Sequence, residues 1–100
     1  MITGVDIDGV LTIETEGHNY KKRTPNWPMI RWVNKKHFLE QHRIILFSSR
    51  FEEDRAVTEE WLQEYSVYHD QLILGKPKFD LYIDDIAKRP EEILNVKTLP

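Results

Sequence analysis

The sequence contains no cysteine, little glycine and no long hydrophobic run. Without cysteine, disulfides, thiolate metal sites and cysteine nucleophiles are all excluded. The longest purely aliphatic or aromatic run is residues 44–47, whereas a membrane span needs about 18 residues. Positive charge is not in surplus either, because the formal net charge is −3, which argues against nucleic-acid binding by overall charge alone. Met1 leads directly into a short apolar segment, so we expect no signal peptide, no membrane contact and a cytoplasmic location.

The length of 100 residues and the hydrophobic content of 40% predict a single globular domain over residues 1–100. Short runs rich in β-branched residues predict four buried strands, at residues 2–7, 43–47, 71–74 and 80–83. Rough alternation of polar and apolar residues predicts an exposed hairpin or flap at residues 11–20, and the flap would cover about residues 11–24.

Two amphipathic helices are predicted between these strands. The first is capped by Asn26, tolerates Pro28 in its first turn and ends near His42. The second covers residues 52–65, and a short last helix opens at Arg89-Pro90. The apolar stripes of the two amphipathic helices are Trp27, Ile30, Val33 and Phe38 in the first and Val57, Trp61, Leu62 and Tyr65 in the second. Strands that alternate with such helices predict an α/β domain with a mostly parallel sheet.

Acidic side chains follow two of the predicted strands. Asp6 and Asp8 end the first strand, and Asp84 and Asp85 end the last. Functional sites in open parallel sheets form at the carboxyl ends of strands, so we expect these four carboxylates to lie close together. Such a cluster repels itself unless a cation lies within it, and carboxylate oxygens suit Mg²⁺.

Hydroxyl and cationic groups follow the other two strands. Ser48, Ser49 and Arg50 end the second strand and offer hydroxyl and guanidinium donors, and Lys76 follows the third. Acids for a metal, with a hydroxyl and a lysine for anionic oxygens, predict a site for phosphoryl transfer. Lys78 is a second candidate for the phosphate-binding lysine, although Lys76 follows the strand directly.

The same segments, in the same order, resemble the haloacid-dehalogenase-like (HAD) phosphohydrolase superfamily. Residues 6–11, Asp-Ile-Asp-Gly-Val-Leu, are similar to its first motif, and residues 44–48 to its second, a strand closed by Thr or Ser. Lys76 fits the third motif, and residues 82–85, Tyr-Ile-Asp-Asp, fit the fourth. The resemblance runs from residue 2 to about residue 87 and implies a three-layer Rossmann-like domain.

The resemblance also implies a role for each motif residue. Asp6 would attack phosphorus and form an aspartyl-phosphate. Asp8 would protonate the leaving oxygen and later deprotonate the attacking water. Ser48 and Lys76 would hold the phosphoryl oxygens. The Mg²⁺ ligands would be Asp6, the backbone carbonyl of Asp8, Asp84 and Asp85, and which of the last two binds directly stays open.

The short chain leaves no room for a cap domain, and it resembles short capless members described as capsule-biosynthesis phosphatases. We therefore expect a Mg²⁺-dependent phosphatase for small phosphomonoesters, a sugar phosphate or a nucleotide. A phosphatase for polynucleotide ends and an idle phosphate-binding or interaction domain stay open as alternatives. Trp27 and Trp32 point about 140° apart on a helix, so one should be partly exposed. An open site and an exposed Trp favour a homo-oligomer, with Gly17 near a partner's site.

Overall fold

The computed structural model describes residues 1–95 and contains a parallel three-stranded sheet in the order β1-β2-β3. The strands are β1 (Ile2–Val5), β2 (Arg43–Phe47) and β3 (Gln71–Ile73). Between them lie α1 (Trp27–Phe38) and α2 (Arg55–Glu64), and α3 (Pro90–Asn95) follows. The predicted α/β class and parallel sheet are confirmed.

One face of the sheet is covered by the hydrophobic core. Val5, Leu46 and Leu72 lie side by side in register and are buried. The alternate positions Gly4 and Phe47 are exposed, and Ile45 and Ile73 are only half-buried. The three-layer arrangement predicted from the resemblance is therefore not confirmed, because the sheet has one well-covered face within the part of the chain that the structure describes.

The first helix begins where its sequence predicts but ends earlier, at Phe38. Asn26 is the N-cap residue, yet its side chain makes no capping bond, because its amide donates to the carbonyl of Val10 at 3.1 Å. Met29, Ile30 and Val33 form the buried stripe, whereas Trp27 and Phe38 are exposed. The expectation that one of the two Trp side chains of α1 is partly exposed is confirmed by Trp27.

The predicted second helix divides into two elements. Residues Glu52–Asp54 form a 3-10 turn, and the α-helix starts only at Arg55. Thr58, Trp61 and Leu62 are its buried residues, so a polar residue replaces Val57 in the predicted stripe. This threonine is buried because it has a partner in the site described below.

Of the two alternatives for residues 11–20, a hairpin or a flap, the structure has no hairpin, and this loop closes through one antiparallel bridge between Thr12 and Pro25. The strand predicted at residues 80–83 is wrong. Residues 80–83 form no strand, and all four are exposed. Their local pattern suits a strand, but a strand also needs a neighbour, and β1 pairs only with β2 among residues 1–95.

No helix within residues 1–95 is both long enough and apolar enough to cross a bilayer.

Candidate active site

The carboxyl ends of all three strands open on one cleft of about 910 Å³. Asp6 and Asp8 reach it from β1, Ser49 and Arg50 from β2, and Lys76 from the segment after β3. This convergence follows from the parallel order of the strands, which brings their carboxyl ends to one edge of the sheet. Its charged lining is locally positive, with four cations, Arg23, Arg50, Lys76 and Lys78, and three acids, Asp6, Asp8 and Glu16.

A tight turn after β1 presents the two acids of the first motif. The carbonyl of Ile7 accepts bonds from the backbone N–H groups of Val10, Leu11 and Thr12, at 3.1, 2.8 and 3.1 Å. Gly9 completes the turn with φ +82°, a conformation that other residues adopt only with strain. The turn is thereby held by backbone bonds, independently of any ligand.

Asp6 is the accessible acid of the pair. Its side chain is 41% exposed, and Oδ2 lies 3.3 Å from Nζ of Lys76. Its other oxygen accepts the backbone N–H of Ile7 at 2.7 Å. Lys76 is itself positioned by backbone bonds, since its N–H donates to the carbonyl of Ser48 at 2.9 Å. The structure therefore pairs a solvent-accessible carboxylate with a fixed cation.

Asp8 is enclosed by two buried arginines. Arg50 donates from Nε to Oδ2 at 2.9 Å and from Nη2 to Oδ1 at 2.7 Å, which is a bidentate pair. Arg23 donates from Nε to Oδ1 at 3.1 Å. Both oxygens of Asp8 are therefore occupied by guanidinium donors, and proton transfer by Asp8 requires at least one of these contacts to open.

The remaining donors of the two arginines are also used. Arg50 Nη1 donates to Oγ1 of Thr58 at 2.9 Å, and its guanidinium carbon lies 3.9 Å from the centre of the Tyr20 ring. Arg23 donates to the carbonyls of Glu16 and Gly17, at 2.6 and 2.9 Å. These bonds tie the flap, α2 and the turn after β1 into one network.

Ser48 does not line the cleft, which differs from its predicted role as a phosphoryl ligand. It is 1% exposed, and its hydroxyl accepts the backbone N–H of Arg50 at 3.1 Å. The next residue, Ser49, lines the cleft instead. Both lysine candidates line it, and Lys76 is the one paired with Asp6.

The predicted magnesium ligands are not gathered. Among residues 1–95, no group of three or more possible ligand side chains lies together. Asp84 and Asp85 are exposed and do not line the cleft, because residues 80–83 form no strand to carry them to its edge. The structure of residues 1–95 does not bring Asp6 and Asp8 together with Asp84 and Asp85, and magnesium dependence stays a prediction.

Asp84 has local partners instead. Its Oδ1 accepts the backbone N–H of Ile86 at 2.8 Å, and its Oδ2 accepts the Tyr82 hydroxyl at 2.7 Å. The bond from Ile86, and then that from Tyr82, lower the pKa of Asp84 from its ordinary value. The same carboxylate raises the pKa of Tyr82. Because Tyr82 lines the cleft, Asp84 is connected to it through this hydroxyl.

The sequence places Arg50 at the edge of the site but does not indicate that Arg50 and Arg23 share Asp8. Arg50 lies three residues after the end of β2, which is the signal that places it at this edge. Arg23 ends a basic run with Lys21 and Lys22, and such a run is typical of a solvated loop. The two lysines are exposed, whereas Arg23 is only 5% exposed. No local pattern distinguishes the buried member of that run.

Comparison with known proteins adds structural neighbours only. No protein-family model matches the chain, and no curated protein matches it. A structural-genomics target from Vibrio cholerae is similar, with a TM-score of 0.79 and 26% identity over 93% of this chain and 86% of that one.

Two further neighbours are chains from structures of the Pnkp1/Rnl/Hen1 complex, the second described as an RNA repair complex. Their TM-scores are 0.65 and 0.61, with 22% and 21% identity over 79% and 96% of this chain. In both cases only 30% of the neighbour's length is covered. The chain thus shares its α/β fold with these solved structures.

Proposed function

We propose that this chain is a HAD-like phosphohydrolase that cleaves phosphomonoesters through a covalent intermediate on Asp6. The observation that carries the proposal is the contact between Asp6 and Lys76 in a locally positive cleft at the carboxyl edge of the sheet. An accessible carboxylate is a nucleophile suited to phosphorus, and a fixed ammonium offsets charge on the phosphoryl oxygens.

The reaction balances with water as the second substrate. In the first step an oxygen of Asp6 bonds to phosphorus while the bond from phosphorus to the ester oxygen breaks. The leaving oxygen takes a proton from Asp8, once an arginine contact has opened and the Asp8 carboxyl has taken that proton from solvent. In the second step Asp8 takes a proton from the attacking water, the water oxygen bonds to phosphorus, the bond to Asp6 breaks, and inorganic phosphate leaves.

The two arginines gain a role in this proposal. A phosphate dianion entering the cleft competes with Asp8 for the N–H groups of Arg50 and Arg23, since guanidinium forks bind either anion. Substrate binding would thereby release Asp8 for proton transfer. The magnesium predicted from the resemblance belongs to the same proposal, but no step above depends on it.

The direct test is a phosphate-release screen over a broad panel of phosphomonoesters, with and without Mg²⁺. We expect turnover by the wild-type chain and none by Asp6→Asn. The matched control is Asp80→Asn, an exposed aspartate outside the cleft, which should retain the wild-type rate. Wild-type turnover by Asp6→Asn would disprove the covalent mechanism.

A second candidate, a phosphate-binding domain without catalysis, is favoured by the closed pair of Asp8 and Arg50. It predicts that the wild-type chain binds inorganic phosphate by calorimetry but releases none from any ester in the panel. Because the same preparation serves both measurements, the screen decides between the two candidates.

A further inference from the structure

Four exposed aromatic side chains line the cleft. Phe47, Phe51, Phe79 and Tyr82 all line the cleft and are 41%, 63%, 57% and 64% exposed. We call these four residues the aromatic wall. Large aromatic rings normally bury most of their surface, so a group of them that opens on a single cleft indicates a surface for a ligand.

The geometry of the wall suits a flat ring. The rings of Phe79 and Tyr82 lie nearly parallel, with 9° between their planes and 5.9 Å between their centres. Tyr20, the other aromatic ring in the cleft, is covered by the Arg50 guanidinium. Phe79 and Tyr82 therefore offer exposed aromatic surface, whereas Tyr20 and Phe47 each have a cation over the ring.

The wall begins beside the proposed point of attack. Nζ of Lys76 lies 5.3 Å from the centre of the Phe47 ring and 3.3 Å from Oδ2 of Asp6. A phosphate held by Lys76 thus has aromatic surface next to it. The cleft volume of about 910 Å³ lies within the range of about 300–1,000 Å³ that small-molecule sites occupy.

We infer that the cleft takes phosphomonoesters that carry a nucleobase, with the base stacked on the aromatic wall and the phosphate beside Asp6 and Lys76. This inference rests on the proposed function and names its substrate class. A sugar phosphate would leave these rings in water, whereas a stacked base covers part of their surface. Stacking tolerates any base, because every base has a flat π-face, so the site recognises that a base is present rather than which base it is.

The test compares adenosine 5′-monophosphate with ribose 5-phosphate, two phosphomonoesters that differ in the base. Phe79→Ala should lower kcat/KM for the nucleotide about 10- to 100-fold. Its kcat/KM for ribose 5-phosphate should change less than about twofold, because a sugar alone does not stack. Phe79→Trp keeps a ring and should retain the preference for the nucleotide.

The matched control is Phe38→Ala, which removes an exposed phenylalanine from α1, outside the cleft. It should alter neither substrate's kcat/KM. Equal turnover of both phosphomonoesters by the wild-type chain, or an equal loss on both in Phe79→Ala, would overturn the inference while leaving the phosphatase proposal standing.

Binding separates this inference from the proposed function. Calorimetry on Asp6→Asn should give tighter binding of the nucleotide than of ribose 5-phosphate, and adding Phe79→Ala should remove the difference. This result would uphold the aromatic wall even if no ester were hydrolysed. If Phe79→Ala instead lowered the mass by light scattering and left binding unchanged, the wall would be a contact between copies and the inference would be wrong.

The base and phosphate can come from a free nucleotide or from the end of a strand. A third arm therefore measures 5′- and 3′-phosphorylated pentanucleotides against the mononucleotide. A preference for either kind of end identifies a strand terminus as the source, whereas equal or better turnover of the mononucleotide identifies a free nucleotide. Both results support the inference, and failure of every base-bearing compound to exceed ribose 5-phosphate refutes it.

Discussion

Replacing Arg50 should destabilise the domain strongly, because this buried side chain connects three parts of the structure. It is 2% exposed, forms two bonds to Asp8 and one to Thr58, and lies against the ring of Tyr20. Removing one partner of a buried pair costs about 3–5 kcal/mol, since the other charge stays behind. Asp8 is 20% exposed and keeps its contact with Arg23, so the lower end, about 3 kcal/mol, applies.

Such a loss is large against a total stability of about 5–15 kcal/mol. For a domain of this size it corresponds to a fall in Tm of about 12–24 °C. Urea unfolding of Arg50→Met, monitored by circular dichroism, measures the loss in the free energy of unfolding. The stability of Arg50→Lys should lie between that of the wild type and that of Arg50→Met, because an ammonium keeps the charge but cannot reproduce the two parallel bonds of the guanidinium.

The charge-matched control is Arg89→Ala. The side chain of Arg89 is 78% exposed and lies 4.0 Å from Glu91, so its loss should change stability by less than about 0.5 kcal/mol. The double variant Asp8→Asn with Arg50→Met should cost less than the sum of the two single changes, because no unpaired charge is left. Wild-type stability of Arg50→Met, or strict additivity in the double variant, would refute the reasoning.

Three further predictions concern the turn, the flap and the metal. Gly9→Ala should destabilise the chain by at least about 1–2 kcal/mol in the same urea assay, because φ is +82° and a Cβ there meets Thr15 Cγ2 at 2.6 Å. Gly4→Ala is the control and should be near neutral, because a Cβ at Gly4 has nothing within 4 Å. Hydrogen bonds from Thr24 lower the pKa of Glu14. The contribution of Glu14 to stability is therefore present above the ordinary carboxyl pKa and is lost as the pH falls through the lowered value. Between pH 7 and pH 3, the Tm of Glu14→Gln should decline less steeply than that of the wild-type chain. Mg²⁺ should raise the Tm and EDTA should abolish turnover, and full activity in EDTA would contradict the predicted magnesium site.

The oligomeric state of the wild-type chain is a further testable prediction. Trp27 is 45% exposed, and its ring packs edge-on against Tyr65 at 5.7 Å between centres, so part of it stays open to a partner. The predicted homo-oligomer requires a mass above 12.0 kDa by light scattering at micromolar concentration. A fully active 12.0 kDa species would contradict it.

Local sequence patterns are enough to predict an element when its formation depends mainly on its own residues. The strand Arg43–Phe47 occupies the range predicted for it, because four consecutive apolar residues with two β-branched side chains favour extended, buried backbone. The start of α1 follows from Asn26 and Pro28 for the same local reason. The acids Asp6 and Asp8 and the lysine Lys76 reach one cleft because each follows a strand of a parallel sheet, whose carboxyl ends share an edge.

Contacts between distant parts of the chain decided the rest. Arg50 and Asp8 are 42 residues apart, and the sequence around neither residue indicates that their side chains pair. Residues 80–83 have the composition of a strand, yet strand formation depends on backbone partners elsewhere, and without them Asp84 bonds to its neighbours Tyr82 and Ile86. The sequence alone thus determined the parallel α/β framework and the edge on which its charged groups meet, because both depend on local periodicity and strand order. Only the tertiary structure decided which carboxylate is open and which is enclosed by arginines, because burial and pairing depend on side chains that the fold brings together from separate elements.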